Sequence, residues 1–488
     1  MEHSNVWKSY KEEDLKAVEA LAKDYIGFIS DCKTERECVT WAIAKAQEKG
    51  YTKLEDAIAE GRALKTGDKL WTHIHGKTLI LIHMGLDPIE TGMNILGAHI
   101  DSPRLDIKQN PLYEANDFAL LDTHYYGGIK YYQWVTTPLA IHGTVVKKSG
   151  ECIEVVVGED ASDPVFCVTD LLIHLASKQL EKTGKKIVEG ENLDVLAGSR
   201  PLVIEKGKKE EGKSDESADK EAELSVEEKI EKLAEKEPVK AMLLKLLYEK
   251  YGIEEEDFLS AELEVVPAGP ARECGFDRSM VIGYGQDDRV CSYPSLCAQL
   301  DLAQPQKTAV CLLVDKEEIG SVGATGITSR FFENTIAEVL ELTGANSGIA
   351  LRRCLAASSM LSSDVSAGLD PLYASVFEPK NAAYLGRGLV FNKYTGARGK
   401  SGSNDASAEY LAKIRAIMDE NKVAFHTSEL GRVDAGGGGT VAYILAEYGM
   451  NVIDSGVSVL SMHSPWEVSS KADIYEAYKG YKAFLQDA

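Results

Sequence analysis

Two adjacent glutamates, Glu317 and Glu318, close an apolar run and open a glycine-rich turn over residues 310–326, VCLLVDKEEIGSVGATG. An apolar run of this length bounded by a turn signal is a buried strand, and its end sets carboxylates at the carboxyl edge of a sheet. Ligands of open α/β sheets bind at that edge. Four other apolar runs end in acids or imidazoles: ILGAHID over 95–101, MVIGYGQDD over 280–288, SMLSSD over 359–364 and VSVLSMH over 457–463. Two imidazoles and several carboxylates at five strand ends are the donor set of a two-metal site. Such a site needs one carboxylate between metals roughly 3.5–4 Å apart, and another free to take a proton from water. Nitrogen and oxygen donors of this kind suit Zn2+, with Mn2+ or Co2+ as alternatives.

The residues divide these roles among them. His99 and Asp101 share one face of a strand, because residues i and i+2 point the same way. His99 can then ligate a metal while Asp101 accepts its other ring N–H. Asp288, preceded by Asp287, follows the strand at 280, where a bridging carboxylate and a helix N-cap are both readings. Asp364 supplies a terminal carboxylate and His463 the second imidazole. Of Glu317 and Glu318, one ligates and the other stays free as the base; a solvated loop pair is the competing reading.

The elements that must position these groups follow from the pattern. The chain of 488 residues implies two to three domains at roughly 100–200 residues each. Residues 11–49 read as two amphipathic helices broken at Ser30-Asp31, the first burying Leu15, Val18, Leu21 and Ala22. Over 103–259 the texture changes to short β-like runs between turn signals, which marks an inserted, β-rich domain. Residues 205–237 are dominated by Lys, Glu, Asp and Ser and read as a solvated segment. A capping box at Ser225 and Glu228 starts a charged helix that Pro238 ends. A helix over 239–251 follows, burying Met242, Leu243, Leu246 and Leu247. From 260 the α/β alternation resumes, so 1–102 and 260–488 form one α/β domain interrupted by the insert.

A net charge of −23 argues against nucleic acid and anionic membranes as partners. No stretch of 18 apolar residues is present, so no transmembrane helix is expected. Nine cysteines without a CxxC pair, and no signal-like start, lead us to expect reduced thiols in a cytoplasmic protein.

GAHIDSPRLDIK, GQDDRVCSYPSL, LLVDKEEIGSVGATG, SSDVSAGLDPLY and the late MHS segment resemble, in order and over nearly the whole chain, the aspartyl aminopeptidase and aminopeptidase I family of dinuclear zinc exopeptidases. The resemblance implies a mixed-sheet, three-layer zinc-exopeptidase domain with an inserted β-rich dimerisation domain. It implies two Zn2+ per subunit, one held by His99, Asp288 and Asp364, the other by Asp288, Glu318 and His463. Asp288 is taken as the bridge because the family's motif sets that Asp immediately before a polar residue, here Arg289. Glu317 would be the general base and Asp101 the orienter of His99. His174, in LLIHLA, resembles a histidine that reaches a neighbouring subunit's site, in a homododecamer built from dimers. The implied substrates are peptides with a free N-terminus.

Two departures favour the family's bacterial aminopeptidase 1 branch over the aspartyl-specific one. No histidine follows Asp364 within VSAGLDP, and the loop over 392–404, NKYTGARGKSGSN, is differently built. Its Lys393, Arg398 and Lys400 either meet an acidic substrate side chain or are ordinary loop charges. Gly436 to Gly439 read as backbone approaching the substrate pocket, or as a plain turn. A deacylase on the same scaffold and a non-catalytic oligomeric scaffold are the alternative functions.

Overall fold

Three of the five apolar runs, joined by the strand Asn451–Gly456, become the parallel centre of a nine-stranded sheet, and the runs at 280 and 457 enter a smaller sheet instead. Thr308–Val314, Met93–His99, Ser359–Ser363 and Asn451–Gly456 lie side by side in that order, each parallel to its neighbour. Their register aligns Val314 with His99 and Ser363 with Ser455, so their carboxyl ends share one edge. These strands are buried on both faces, which is why they read as unbroken apolar runs rather than alternating ones. Antiparallel strands flank the centre, Thr78–His83 with Lys69–Ile74 on one side and Leu389–Asn392 on the other.

The computed structural model describes residues 4–204, 224–396 and 399–488. The chain divides into two units, Met1–Pro103 with Pro270–Ala488, and Arg104–Gly269. In the first unit helices cover both faces of the large sheet. Glu12–Asp31, Glu35–Glu48, Gln286–Leu300, Ala408–Glu420 and Lys471–Asp487 pack one core, with Tyr25, Phe28, Tyr293 and Phe484 inside it. Phe331–Thr343, Gly348–Ala357 and Ala442–Ala446 pack the other, around Ile336, Leu312 and Met360. The first unit is therefore a three-layer α/β fold on a mixed sheet. A second, five-stranded sheet in this unit runs Arg272–Cys274, Met280–Gly283, Glu467–Ser470, Ser458–Leu460, Ser366–Ala367.

The second unit is built on a six-stranded antiparallel sheet, from Cys152–Val157 through Leu139–Val146, Ala261–Pro267, Arg104–Ala115 and Phe118–Tyr126 to Val195–Gly198. Ala261–Pro267 pairs with two of these strands, so the chain leaves this unit near Pro270 rather than at 260.

Several local expectations shift. The first helix continues to Asp31, and the break falls at Cys32 and Lys33, before a capping box between Thr34 and Glu37. Leu15 is exposed, and that helix buries Val18, Ala22, Tyr25, Phe28 and Ile29. Pro238 does not end a helix: it opens Pro238–Tyr251 at the first turn, where its missing N–H costs nothing. That helix buries Val239, Ala241 and Leu244, and Leu246 is exposed. The capping box at Ser225 and Glu228 starts Val226–Ala234, whereas residues 205–223 of the charged segment lie outside the described residues. Among the described residues no helix is long and apolar enough to cross a membrane.

Candidate metal centre

The carboxyl edge of the large sheet delivers His99, the Glu317–Glu318 turn and Asp364, and loops of the small sheet bring Asp287 and His463 to them. His99 ends its strand fully buried, with Nδ1 3.0 Å from the Asp101 carbonyl oxygen and 3.3 Å from the Asp101 carboxylate. Its Nε2 is left facing Asp287 Oδ1 at 3.2 Å and Asp364 Oδ1 at 3.8 Å. Across the same carboxylate, Asp287 Oδ2 lies 3.3 Å from His463 Nε2, while His463 Nδ1 lies 3.8 Å from Glu318 Oε2. Donor atoms of His99, Asp287 and Asp364 all lie within 4.8 Å of one another, as do those of Asp287, Glu318 and His463, and those of His99, Glu317 and Glu318.

The shared carboxylate is thus Asp287, and the expectation for Asp288 is corrected. Both residues precede the regular part of helix Gln286–Leu300, with φ, ψ of −80°, 108° and −111°, 26°. Asp287 enters the ring of donors, and Asp288 is buried against the Cys291 thiol. Burial pushes the Asp288 carboxyl well above the usual carboxylate range.

The two glutamates are delivered by a tight turn. Lys316 and Gly320 adopt left-handed backbone, and Glu317–Ile319 makes one turn of 3-10 helix between them. The Asp101 carboxylate caps this turn: Oδ1 accepts the Glu317 N–H and Oδ2 the Glu318 N–H, each at 3.1 Å. Asp101 therefore aligns the imidazole and both glutamates at once. Behind it, the Asp315 carboxylate accepts the Thr325 hydroxyl, which closes the glycine-rich turn.

The electrostatics are those of a crowded anionic ring. Burial, then Asp364, pushes the Glu317 carboxyl up to about 8. Burial and Asp287 push Glu318 well up, and burial raises Asp364. Burial also opposes the charge on Asp287, but the His463 and His99 imidazoles hold its carboxyl below the usual range. His99 is disfavoured as a cation by burial, yet Asp101, Asp287 and Asp364 hold its imidazole well above its ordinary value. Glu318 Oε1 is buried without a hydrogen bond. Carboxylates that raise one another, an unbonded buried oxygen and two imidazoles facing one carboxylate are together a fit to divalent cations, which relieve the repulsion and take the oxygen.

The family model for "Aminopeptidase I zinc metalloprotease (M18)" matches residues 28–485. The chain belongs to this family. A Clostridium acetobutylicum protein named "Probable M18 family aminopeptidase 1" is 56% identical over 486 residues, 100% of this chain and 98% of that one. The crystal structure of an M18 aminopeptidase from Thermotoga maritima superposes with a TM-score of 0.89 at 41% identity, covering 100% of both chains. The S. cerevisiae mApe1 dodecamer shares the fold, with a TM-score of 0.72 at 19% identity over 96% of each chain.

The remaining candidates of this M18 chain lie elsewhere. His174 sits on the exposed turn Ile173–Leu175 of the second unit, among the exposed Leu171, Leu172, Ile173 and Leu175. Lys393 and Lys400 both reach one carboxylate, Asp405, at 3.0 Å to each of its oxygens. Lys400 also lies 3.6 Å over the Tyr394 ring. Arg398 is outside the described residues. The sequence reading missed Asp287 in favour of its neighbour. It also missed Glu467, whose two oxygens accept the N–H groups of Asp287 and His463. Nothing about a glutamate at the start of a short strand signals that contact; only its place four residues after His463 hints at it.

Proposed function

We propose that this chain is a dinuclear zinc aminopeptidase that releases the first residue of peptides with a free N-terminus. One observation carries the reading: a single carboxylate, Asp287, faces an imidazole on each side, with the Glu317–Glu318 turn beside them. His99, Asp287 and Asp364 would hold one ion, and Asp287, Glu318 and His463 the other. Ions bound there supply Lewis acidity, which brings the pKa of water toward neutrality and polarises a carbonyl. Glu317, left outside the ligand sets, takes the proton of the attacking water and returns it to the leaving amine. Asp101 holds the base and its neighbouring ligand in register through their backbone N–H groups.

The chain's own surface supports a homo-oligomer. The exposed apolar turn around His174 is a surface for a second copy, and the family's dodecameric member is consistent with dimers assembling further. A cytoplasmic location accords with nine free cysteines.

Glu317→Gln tests the mechanism. Turnover of Leu-, Ala-, Lys- and Asp-nitroanilides should fall by about 10²–10⁴-fold with two zinc ions retained. Near-normal turnover would remove Glu317 from the role of base. Faster cleavage of N-acetylated than of free-amine substrates would make the enzyme a deacylase instead.

A further inference from the structure

The proposed metal ligands do not hold themselves in place. Asp287 precedes a helix on non-helical backbone, and His463 sits at φ +63°, a left-handed value that disfavours any residue with a Cβ. Both irregular backbones are fixed by the same side chain. Glu467 Oε2 accepts the Asp287 N–H at 3.0 Å, and Oε1 accepts the His463 N–H at 2.8 Å. Glu467 is 1% exposed. Its strand pairs with Met280–Gly283, with Gly283 opposite it, and its carbonyl oxygen accepts Gln286 Nε2 at 2.6 Å. The Glu467 carboxylate is therefore set by the small sheet that carries both ligand loops. The arrangement repeats that of Asp101, which accepts the N–H groups of Glu317 and Glu318.

We propose that Glu467 is a positioning residue that builds the second metal subsite, fixing the backbone of the bridging carboxylate and of the imidazole that completes that subsite. It touches neither substrate nor metal. The inference rests on the two-metal reading above. Partners of this kind orient ligands, and their loss typically weakens metal binding about 10–100-fold. Glutamine at this position offers one acceptor oxygen and turns an NH2 group toward the other backbone N–H.

The experiment is a zinc titration of metal-stripped wild type and Glu467→Gln by calorimetry, with elemental analysis of the loaded proteins. Wild type should bind two ions. Glu467→Gln should keep one tight site and bind the second ion about 10–100-fold more weakly. Its kcat should recover with added zinc while KM for the peptide stays unchanged. Two sites of wild-type affinity in Glu467→Gln would overturn the proposal. A wild type that binds fewer than two ions would instead overturn the dinuclear reading itself. Should Glu467→Gln not fold, amide hydrogen exchange in metal-free wild type decides. Protected N–H groups at Asp287 and His463 support the clamp, and exchange as fast as at an open loop overturns it.

Discussion

Asp287 and Asp288 differ by one position and by everything that matters to a cation. The first meets two imidazoles, and the second is folded against a thiol with its charge disfavoured by burial. A carboxyl whose charge burial disfavours is closely imitated by an amide, so Asp288→Asn should keep both metals and lose less than about tenfold in kcat/KM. Asp287→Asn replaces one of two carboxylate oxygens that face different subsites, Oδ1 toward His99 and Oδ2 toward His463, and removes the negative charge both subsites share. It should lose more than the roughly 10–100-fold in metal affinity typical of groups that only orient the ligands. Elemental analysis of the two variants side by side checks this; equal metal loss would return the bridge to Asp288. The sequence could not separate the pair. Adjacent acids after a strand end are equivalent in composition, and a local backbone that departs from the helix decides which one turns inward. Glu467 was hidden for a different reason: it acts through backbone N–H groups, and side-chain chemistry read along a chain does not show which amides lie nearby.

At the scale of elements, the strand ends were the legible part. Runs buried on both faces announce themselves as apolar, and the polar residue that breaks each run marks the edge where His99, Glu317 and Asp364 emerge. Helix faces were less legible. Pro238–Tyr251 is apolar nearly all round, so its periodicity does not choose between Leu244, which is buried, and Leu246, which is not. The loop after Leu389–Asn392 could be located but not interpreted from sequence, because its charges depend on a partner outside the quoted stretch. Its root lies beside the centre: Asn392 Nδ2 donates to Ser366 Oγ at 2.9 Å, two residues beyond Asp364. Asp405 bridges Lys393 and Lys400, and those two lysines hold its carboxyl below the usual range. Asp405 balances half of that positive charge and occupies both ammonium groups, so the lysines offer reduced attraction to an acidic substrate side chain and neutral N-terminal residues should lead in wild type. Asp405→Asn should raise kcat/KM for Asp and Glu substrates relative to Leu by up to about fivefold. Exposed pairs are worth only about 0–1 kcal/mol. An unchanged ratio, with metal content intact, would mean that these charges only decorate the loop.

The whole molecule carries a formal charge of −23 and also keeps several carboxyls out of water. Burial, then Glu35 and Asp101, pushes Asp315 up to about 7, and burial pushes Asp454 up to about 7. Burial, then Asp287, pushes Glu467 up to about 7, and Glu317 reaches about 8. Unfolded, these groups titrate near their ordinary values of about 4. Between pH of about 4 and 8 the folded chain thus holds protons that the unfolded chain has released, and stability falls as pH rises through that window. Repulsion among the excess acids acts in the same direction. Zinc acts oppositely. It binds only the folded ring, and it binds more tightly as the donors lose their protons. The melting temperature of the EDTA-treated protein should therefore drop by several degrees between pH 5.5 and 8.5. The gain on adding zinc should be larger at pH 8.5 than at pH 5.5. Differential scanning fluorimetry across that range, with and without the metal, reads both slopes. A metal-free protein that grows more stable toward pH 8.5 would mean that these carboxyls ionise freely in the fold. A zinc gain independent of pH would mean that the ion is held by groups other than this ring of buried acids.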